Sequence, residues 1–154
     1  MSLESSSSLE SAEVPLRTMV AGIIIRDKKL LVVHNIKRGL RIEPPGGKVN
    51  DGEDLEAALH RELEEELGIR IGVTGLFGLY ETRSPEGGFA VSTFRCEILD
   101  GQPQEGREPE KIGKVEWLTL EQLEKLAEES RQTNTHLLVP NLQAALKDLA
   151  PLLR

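Results

Sequence analysis

Leucines at positions 55, 59, 63 and 67 recur every four residues through a segment that holds no glycine, proline or β-branched residue. That spacing places them on one stripe of an α-helix. The helix predicted over 54–67 ends at Gly68, a residue suited to the C-cap. At about 100° per residue, Glu62, Glu65 and Glu66 fall together on an adjoining arc about 100° wide, while Glu64 points to solvent. Ala58 lies in the same arc one turn earlier, where a small side chain leaves room for a ligand. Arg61 lies outside the arc. Four of the five residues from 62 to 66 are glutamate, and like charges three or four apart destabilise a helix by about a few tenths of a kcal/mol per pair. Three carboxylates held beside a buried stripe call for compensation, which hard divalent cations with oxygen ligands supply.

The residues in front of the helix provide the other half of such a site. Gly46 and Gly47 carry no side chains and can bring backbone groups close to the helix, where one carbonyl can complete a metal's oxygen shell. Pro44-Pro45 stiffens the approach. Glu53, just before the helix, is placed to pair with Arg61 and tie the loop down. An acidic run such as ELEEEL is by itself an ordinary solvated helix face, and only its combination with the glycine loop makes it a candidate site. Two other phosphate or metal motifs are excluded. Gly46-Gly47-Lys48 is followed by Val49, not the Ser or Thr of a Walker A loop, and NDGEDLEAALHRE lacks the alternating acids of an EF-hand loop.

The rest of the chain reads as an α+β domain over 16–154, long enough at 154 residues to bury its own core. TMVAGIII (18–25) and Leu30–Val33 predict a hairpin around the polar turn 26–29. HNIKRGLRIE reads as a loop. Ile69–Thr82 reads as a strand or two interrupted by Gly72, Gly75 and Gly78, SPEGG (84–88) as a turn, and Phe89–Leu99 as a strong strand. A short strand, KVEWLTL, precedes helices starting near Leu120 and Asn141. Strands first, one helix amid them and two at the end predict a mixed sheet packed between helices. MSLESSSSLESAEVP reads as a disordered leader over 1–15, partly of expression-tag character. A net charge of −7 without a Lys/Arg run argues against a grip on a nucleic-acid backbone. No run is apolar enough for a membrane helix. The single cysteine, Cys96, fits a reducing, cytoplasmic setting and a structural thiol.

Gly47, Glu53, Arg61-Glu62-Leu63, Glu65-Glu66 and Gly68-Ile69 stand at spacings that match the Nudix box at every defined position, nine positions over 23 residues. The chain thus resembles the Nudix (MutT-like) hydrolases over about residues 17–128. The resemblance implies an α/β/α sandwich and hydrolysis of the diphosphate in a nucleoside diphosphate linked to a group X. It implies that Glu62, Glu65, Glu66 and the Gly46 carbonyl hold Mg²⁺ or Mn²⁺. Glu53 would orient the box through Arg61, and Lys48 would contact a phosphate or a catalytic carboxylate. The general base expected from the family is a box glutamate such as Glu62, or a loop glutamate, here Glu108 or Glu110 in REPEK, with Glu110 counted among the catalytic residues. The expected substrate is a small (deoxy)nucleoside triphosphate or nucleotide derivative. ADP-ribose, nucleotide sugars, dinucleoside polyphosphates and RNA 5′ ends are alternatives for X, and a non-catalytic nucleotide-binding regulator is a further one. A homodimer is a common state in the family. One departure is that Ile42 and Pro44 replace an aromatic and an apolar residue of many relatives, which bears on the substrate-side wall.

Other residues carry weaker signals. His34, His60 and His136 share no metal-ligand spacing, and His60, bordering the leucine stripe, reads as packing. Trp117 reads as core packing. Tyr80, Phe89 and Phe94 are candidate base-pocket residues, although aromatics in strands are usually core. Arg17, Arg26, Lys37, Arg38, Arg41 and Arg83 are candidate phosphate contacts.

Overall fold

The computed structural model describes residues 15–84 and 87–154. The leader expected over 1–15 thus falls, apart from Pro15, outside the described residues, as do Pro85 and Glu86 of the 84–88 turn. The described elements are β1 (Arg17–Ile23), β2 (Ile25–Arg26), β3 (Lys29–Asn35), β4 (Arg41–Glu43), β5 (Gly46–Lys48), α1 (Leu55–Leu67), β6 (Arg70–Ser84), β7 (Gly87–Asp100), β8 (Ile112–Leu118), α2 (Leu120–Thr133) and α3 (Pro140–Leu153).

Two sheets form. The first runs β5-β1-β7-β6 and is mixed, because β1 lies parallel to β7 and its other pairings are antiparallel. The second is built on β3, which pairs antiparallel with β2, β4 and β8. The expected hairpin is therefore corrected. Only Ile25-Arg26 turns back on Lys29-Leu30, through Asp27 and Lys28, both left-handed at φ 53° and 61°, as a two-residue hairpin turn requires. The chain before Ile24 belongs to the other sheet. Val20 and Ile23 are fully covered, and a strand apolar on both faces sits between neighbours in a sheet rather than in a lone ribbon. The predicted loop HNIKRGLRIE contains β4, and PPGGK contains β5; each is too short to show a periodicity. Ile69–Thr82 resolves into one long strand, β6. Its pairing with β7 shifts register between Val73 and Gly75 and between Leu76 and Gly78, where glycine tolerates a bulge.

Successive side chains of β3 enter different cores. Leu31 and Val33 pack with Leu59, Leu63 and Leu67 of α1, whereas Leu30 and Val32 pack with Leu123 of α2 and Leu142 and Leu149 of α3. The result is the α/β/α sandwich, with α1 on one side and α2 and α3 on the other. Each fully buried leucine contributes about 1.5–3 kcal/mol. Helix α1 is capped at both ends: the Asp54 carboxylate accepts from the Ala57 N–H, and Gly68, at φ 70°, donates its N–H to the Glu64 carbonyl. Ala58 is fully buried in the α1 core rather than beside an open space. No helix is long and apolar enough to cross a membrane, among the described residues.

Cys96 is buried against α1, and burial pushes its thiol up to about 12. Only the thiolate is a good nucleophile. Alkylation by iodoacetamide at pH 8, followed by mass spectrometry, is expected to be at least about a hundredfold slower in the folded chain than in urea. Comparable rates would contradict the burial.

Candidate active site

The site begins where β5 crosses the carboxylate face of α1. A Cβ on Gly47 would lie 2.4 Å from the Glu62 carboxyl carbon, and one on Gly46 would lie 2.0 Å from the Val20 carbonyl oxygen. At Gly46 the obstacle is backbone and only glycine fits, whereas at Gly47 a larger residue would have to displace the Glu62 carboxylate. The Gly46 N–H donates to Glu66 Oε1 at 3.2 Å.

Glu62 and Glu66 are both buried, Glu66 with 1% of its surface exposed. Lys111, just before β8, reaches over to them. Its Nζ donates to Glu66 Oε2 at 2.6 Å and stands 3.8 Å from Glu62 Oε2. Burial raises the pKa of both carboxyl groups, Glu66 to about 8, with Lys111 opposing the shift without cancelling it. For Lys111, burial works to lower the pKa, but Glu66 and Glu62 more than reverse it and keep the ammonium charged. A third acid, Glu43 of β4, is also raised by burial and accepts from Asn35 Nδ2 at 3.2 Å.

The expected Glu53–Arg61 pair is present and bidentate, with Nε and Nη2 of Arg61 each 2.8 Å from Glu53 oxygens. The guanidinium holds Glu53 down at about 2. Arg61 does more than the helical wheel implied. Nη2 also donates to the Lys48 carbonyl at 3.0 Å, and Nη1 donates to Glu62 Oε1 at 3.0 Å and to Glu65 Oε1 at 3.2 Å. One side chain therefore locks the loop, β5 and two carboxylates into a single arrangement. Glu65 is half-exposed, so the three box glutamates do not share one environment.

Among the described residues no three Asp, Glu, His or Cys side chains form a metal cage, and Lys111 and Arg61 hold oxygens of Glu62, Glu65 and Glu66. The donor set nevertheless fits a divalent cation. All the side-chain donors are hard oxygens, two of them come from carboxylates whose burial penalises their charge, and one ammonium opposes Glu43, Glu62 and Glu66 together. Buried charge of one sign is costly until it is matched.

Beside the carboxylates opens a cleft of about 700 Å³ between the two sheets, a size typical of small-ligand sites. Of the candidate phosphate contacts, Arg17, Lys37, Arg38, Arg41 and Arg83 line it, together with Lys48, Lys111 and His136. Arg26 does not join them. Its guanidinium lies 5.1 Å over the half-buried Trp117 ring, so both serve packing. Phe89 lines the cleft. Phe94 is core, and Tyr80 donates its hydroxyl to Asp148 at 2.9 Å. Ile42 is buried in the second core, while Pro44 faces the cleft. His34 pairs with Glu116, and His60 is exposed rather than packed against the stripe. In the REPEK loop, Glu110 is exposed. Glu108 is half-buried, and its Oε1 is buried without a hydrogen-bond partner among the described residues.

Sequence reasoning missed Lys111 and Glu43. A lone lysine in a polar loop and an acid in a three-residue strand carry no periodic signal. Lys111 directly follows Glu110 and stands three residues after Glu108.

The Gly47 contact yields a direct expectation. Gly47→Ala must push the Glu62 carboxylate aside, and a displacement near 1 Å at a reacting group costs about a hundredfold in rate. A purified Gly47→Ala protein with wild-type melting temperature and undiminished hydrolysis would contradict the contact.

Known proteins resemble this chain in sequence and fold. Residues 16–137 match the NUDIX domain family. The chain is 34% identical over 122 residues to a MutT-like protein of Streptomyces ambofaciens, covering 77% of this chain and 75% of that one. It is 32% identical over 112 residues to an ADP-ribose pyrophosphatase of Methanocaldococcus jannaschii, covering 70% and 64%. It is 35% identical over 80 residues to an 8-oxo-dGTP diphosphatase of Escherichia coli, covering 52% and 59%. A solved MutT NUDIX hydrolase from Burkholderia pseudomallei superposes with a TM-score of 0.65 at 26% identity, covering 71% of this chain and 87% of that one. With the box on one helix, the glycine strand packed against it and this match over most of the chain, the protein is a member of the Nudix family of pyrophosphohydrolases.

Proposed function

We propose that the protein hydrolyses the diphosphate linkage of a small nucleotide-type substrate, a (deoxy)nucleoside triphosphate or a nucleotide derivative, with Mg²⁺ or Mn²⁺ as the cation. The observation that carries this reading is the buried Glu62–Glu66 pair at the foot of a cleft with a basic lining. Glu62, Glu65, Glu66 and the Gly46 carbonyl would hold the metal. A bound divalent cation supplies neutralisation of the diphosphate oxygens and a more acidic water.

The chain's own residues supply the rest. Arg61 fixes Glu62 and Glu65 against β5 by the hydrogen bonds described, so the carboxylates are oriented before substrate arrives. Lys48, exposed at the cleft, is free to meet a phosphate. Glu108 is the stronger choice for the base over Glu110 and Glu62. Its buried Oε1 has no hydrogen-bond partner among the described residues, and its carboxylate adds, after Glu66 and Glu62, to the field that keeps Lys111 charged, while Glu110 is exposed and Glu62 is engaged by Arg61.

A second reading, ADP-ribose as substrate, has support from the Methanocaldococcus jannaschii relative's name. The deciding experiment incubates the full chain with Mg²⁺ and nucleoside triphosphates, 8-oxo-dGTP, ADP-ribose, nucleotide sugars and dinucleoside polyphosphates, with products identified by mass. Nucleoside monophosphate and pyrophosphate from triphosphates are expected. Release of AMP and ribose phosphate from ADP-ribose alone would establish the second reading, and no metal-dependent product from any of them would defeat both.

A further inference from the structure

The cleft holds a disproportionate share of positive charge. The chain carries 19 Lys and Arg against 26 Asp and Glu. Seven of those cations line the cleft, and only two of the acids do, Glu43 and Glu62. Lys111 is spent on Glu62 and Glu66, and Arg83 stands 3.8 Å from Glu81. Arg17, Lys37, Arg38, Arg41 and Lys48 form no ion pair among the described residues. Converging cations of this kind raise the local concentration of anions.

These cations stand in two banks. Arg17 starts β1 and lies opposite Phe89 in the β1–β7 ladder, and Arg83 lies opposite Gly88 near the end of β6, so both belong to one end of the first sheet. Arg41 opens β4 of the second sheet, paired with Asn35, and Lys37 and Arg38 lie in the β3–β4 connection before it. The carboxylates are met from both sheets. Gly47 of the first sheet rests on Glu62, and Lys111 reaches Glu66 from the second sheet, where its carbonyl accepts from the Ile36 N–H at 2.8 Å. A metal-neutralised diphosphate at the carboxylates leaves Arg17 of one bank and Lys37, Arg38 and Arg41 of the other without an ion-pair partner among the described residues. Phe89 is the only Phe, Tyr or Trp in the lining among the described residues, so no pair of rings offers to sandwich a base, and charge is what the cleft reads.

We infer that the preferred substrate carries further anionic groups on both flanks of the diphosphate that is cut, with Arg17 and Arg83 taking one flank and Lys37, Arg38 and Arg41 the other. This rests on the hydrolase reading above and narrows it: a nucleoside triphosphate, with its γ-phosphate on one flank only, remains a substrate but not the preferred one. A dinucleoside polyphosphate cut near the middle of its chain, or a diphosphate joining two phosphorylated groups, belongs to this class. A diphosphate joining two neutral groups does not.

The test uses diadenosine diphosphate and diadenosine tetraphosphate, which share bases and riboses and differ only in bridging phosphates. Two quantities are measured on the full chain: kcat/KM with Mg²⁺, and Kd by calorimetry with metal omitted. The tetraphosphate is expected to be favoured by at least about tenfold in both, with the preference shrinking in high salt. It should fall to near parity in Arg17→Ala/Arg83→Ala and, separately, in Lys37→Ala/Arg38→Ala, and survive in Lys125→Ala/Lys147→Ala outside the cleft. All of these side chains except Lys147 and Lys125 line the cleft, and none is buried, so folding is retained. Equal affinity for the two ligands, or a preference that only one bank abolishes, overturns the inference. Hydrolysis without preference removes this inference and leaves the hydrolase reading standing. A bank-dependent preference in Kd without any turnover does the reverse.

Discussion

Glu65→Gln and Glu66→Gln are each expected to lower kcat with Mg²⁺ by at least about a thousandfold, a loss of about 4 kcal/mol of transition-state stabilisation. Glutamine keeps the shape and one oxygen of each side chain but removes the charge that a divalent cation needs. The two variants should differ otherwise. Glu65 is half-exposed and bonded to Arg61 Nη1, so its replacement alters the site and little else. Glu66 is buried, bonded to Lys111 and to the Gly46 N–H, so its replacement also changes the fold's stability. Steady-state rates on the best substrate of the panel decide the matter. Retention of a tenth or more of wild-type kcat in both variants would remove these carboxylates from the proposed metal site.

The stability effect of Glu66 is the second large expectation, and its sign is the reverse of the common case for an acid. Burial raises its pKa from 4.5 to about 8. The folded state therefore binds the proton more tightly than the unfolded chain, and stability is greatest below the unfolded pKa and falls as pH rises toward the folded one. Between about pH 5 and pH 8, metal-free wild type should lose on the order of a few kcal/mol from this group, several degrees in melting temperature. Glu66→Gln has no such proton to lose. Its melting temperature should therefore rise relative to wild type as pH increases, while millimolar Mg²⁺ should recover the loss in wild type and not in the variant. A difference between the two proteins that stays flat from pH 5 to pH 8 in the absence of metal would contradict the burial argument.

Much of this site was legible because its signals were periodic. Leu59, Leu63 and Leu67 are fully buried where the four-residue spacing put them, and Gly68 caps the helix in the left-handed conformation that makes glycine the natural choice there. Glu53 and Arg61 pair as their proximity to the loop suggested. The sandwich followed from the order of strands and helices. The misreadings share a different origin. TMVAGIII looked like one arm of a hairpin because an apolar run shows that a strand is buried without saying which neighbour it takes; pairing across 70 residues with β7 leaves no local mark. Ala58 and His60 exchanged their expected roles, one buried in the core and the other in solvent, because a wheel gives angles but not the height of the surrounding sheet. Lys111 and Glu43 entered the site through tertiary proximity alone. Such contacts are set by how the second sheet leans over α1, which no window of adjacent residues encodes.

The interleaving of β3 has a consequence for how the molecule comes apart. Leu30, Leu31, Val32 and Val33 belong by turns to opposite hydrophobic layers, so neither layer can loosen while the strand stays in place. Melting should be all-or-none, with the slowest-exchanging amides of both halves sharing one opening free energy. A slip of a single residue along this strand would send every one of the four into the wrong layer, which makes its alignment the least negotiable in the chain.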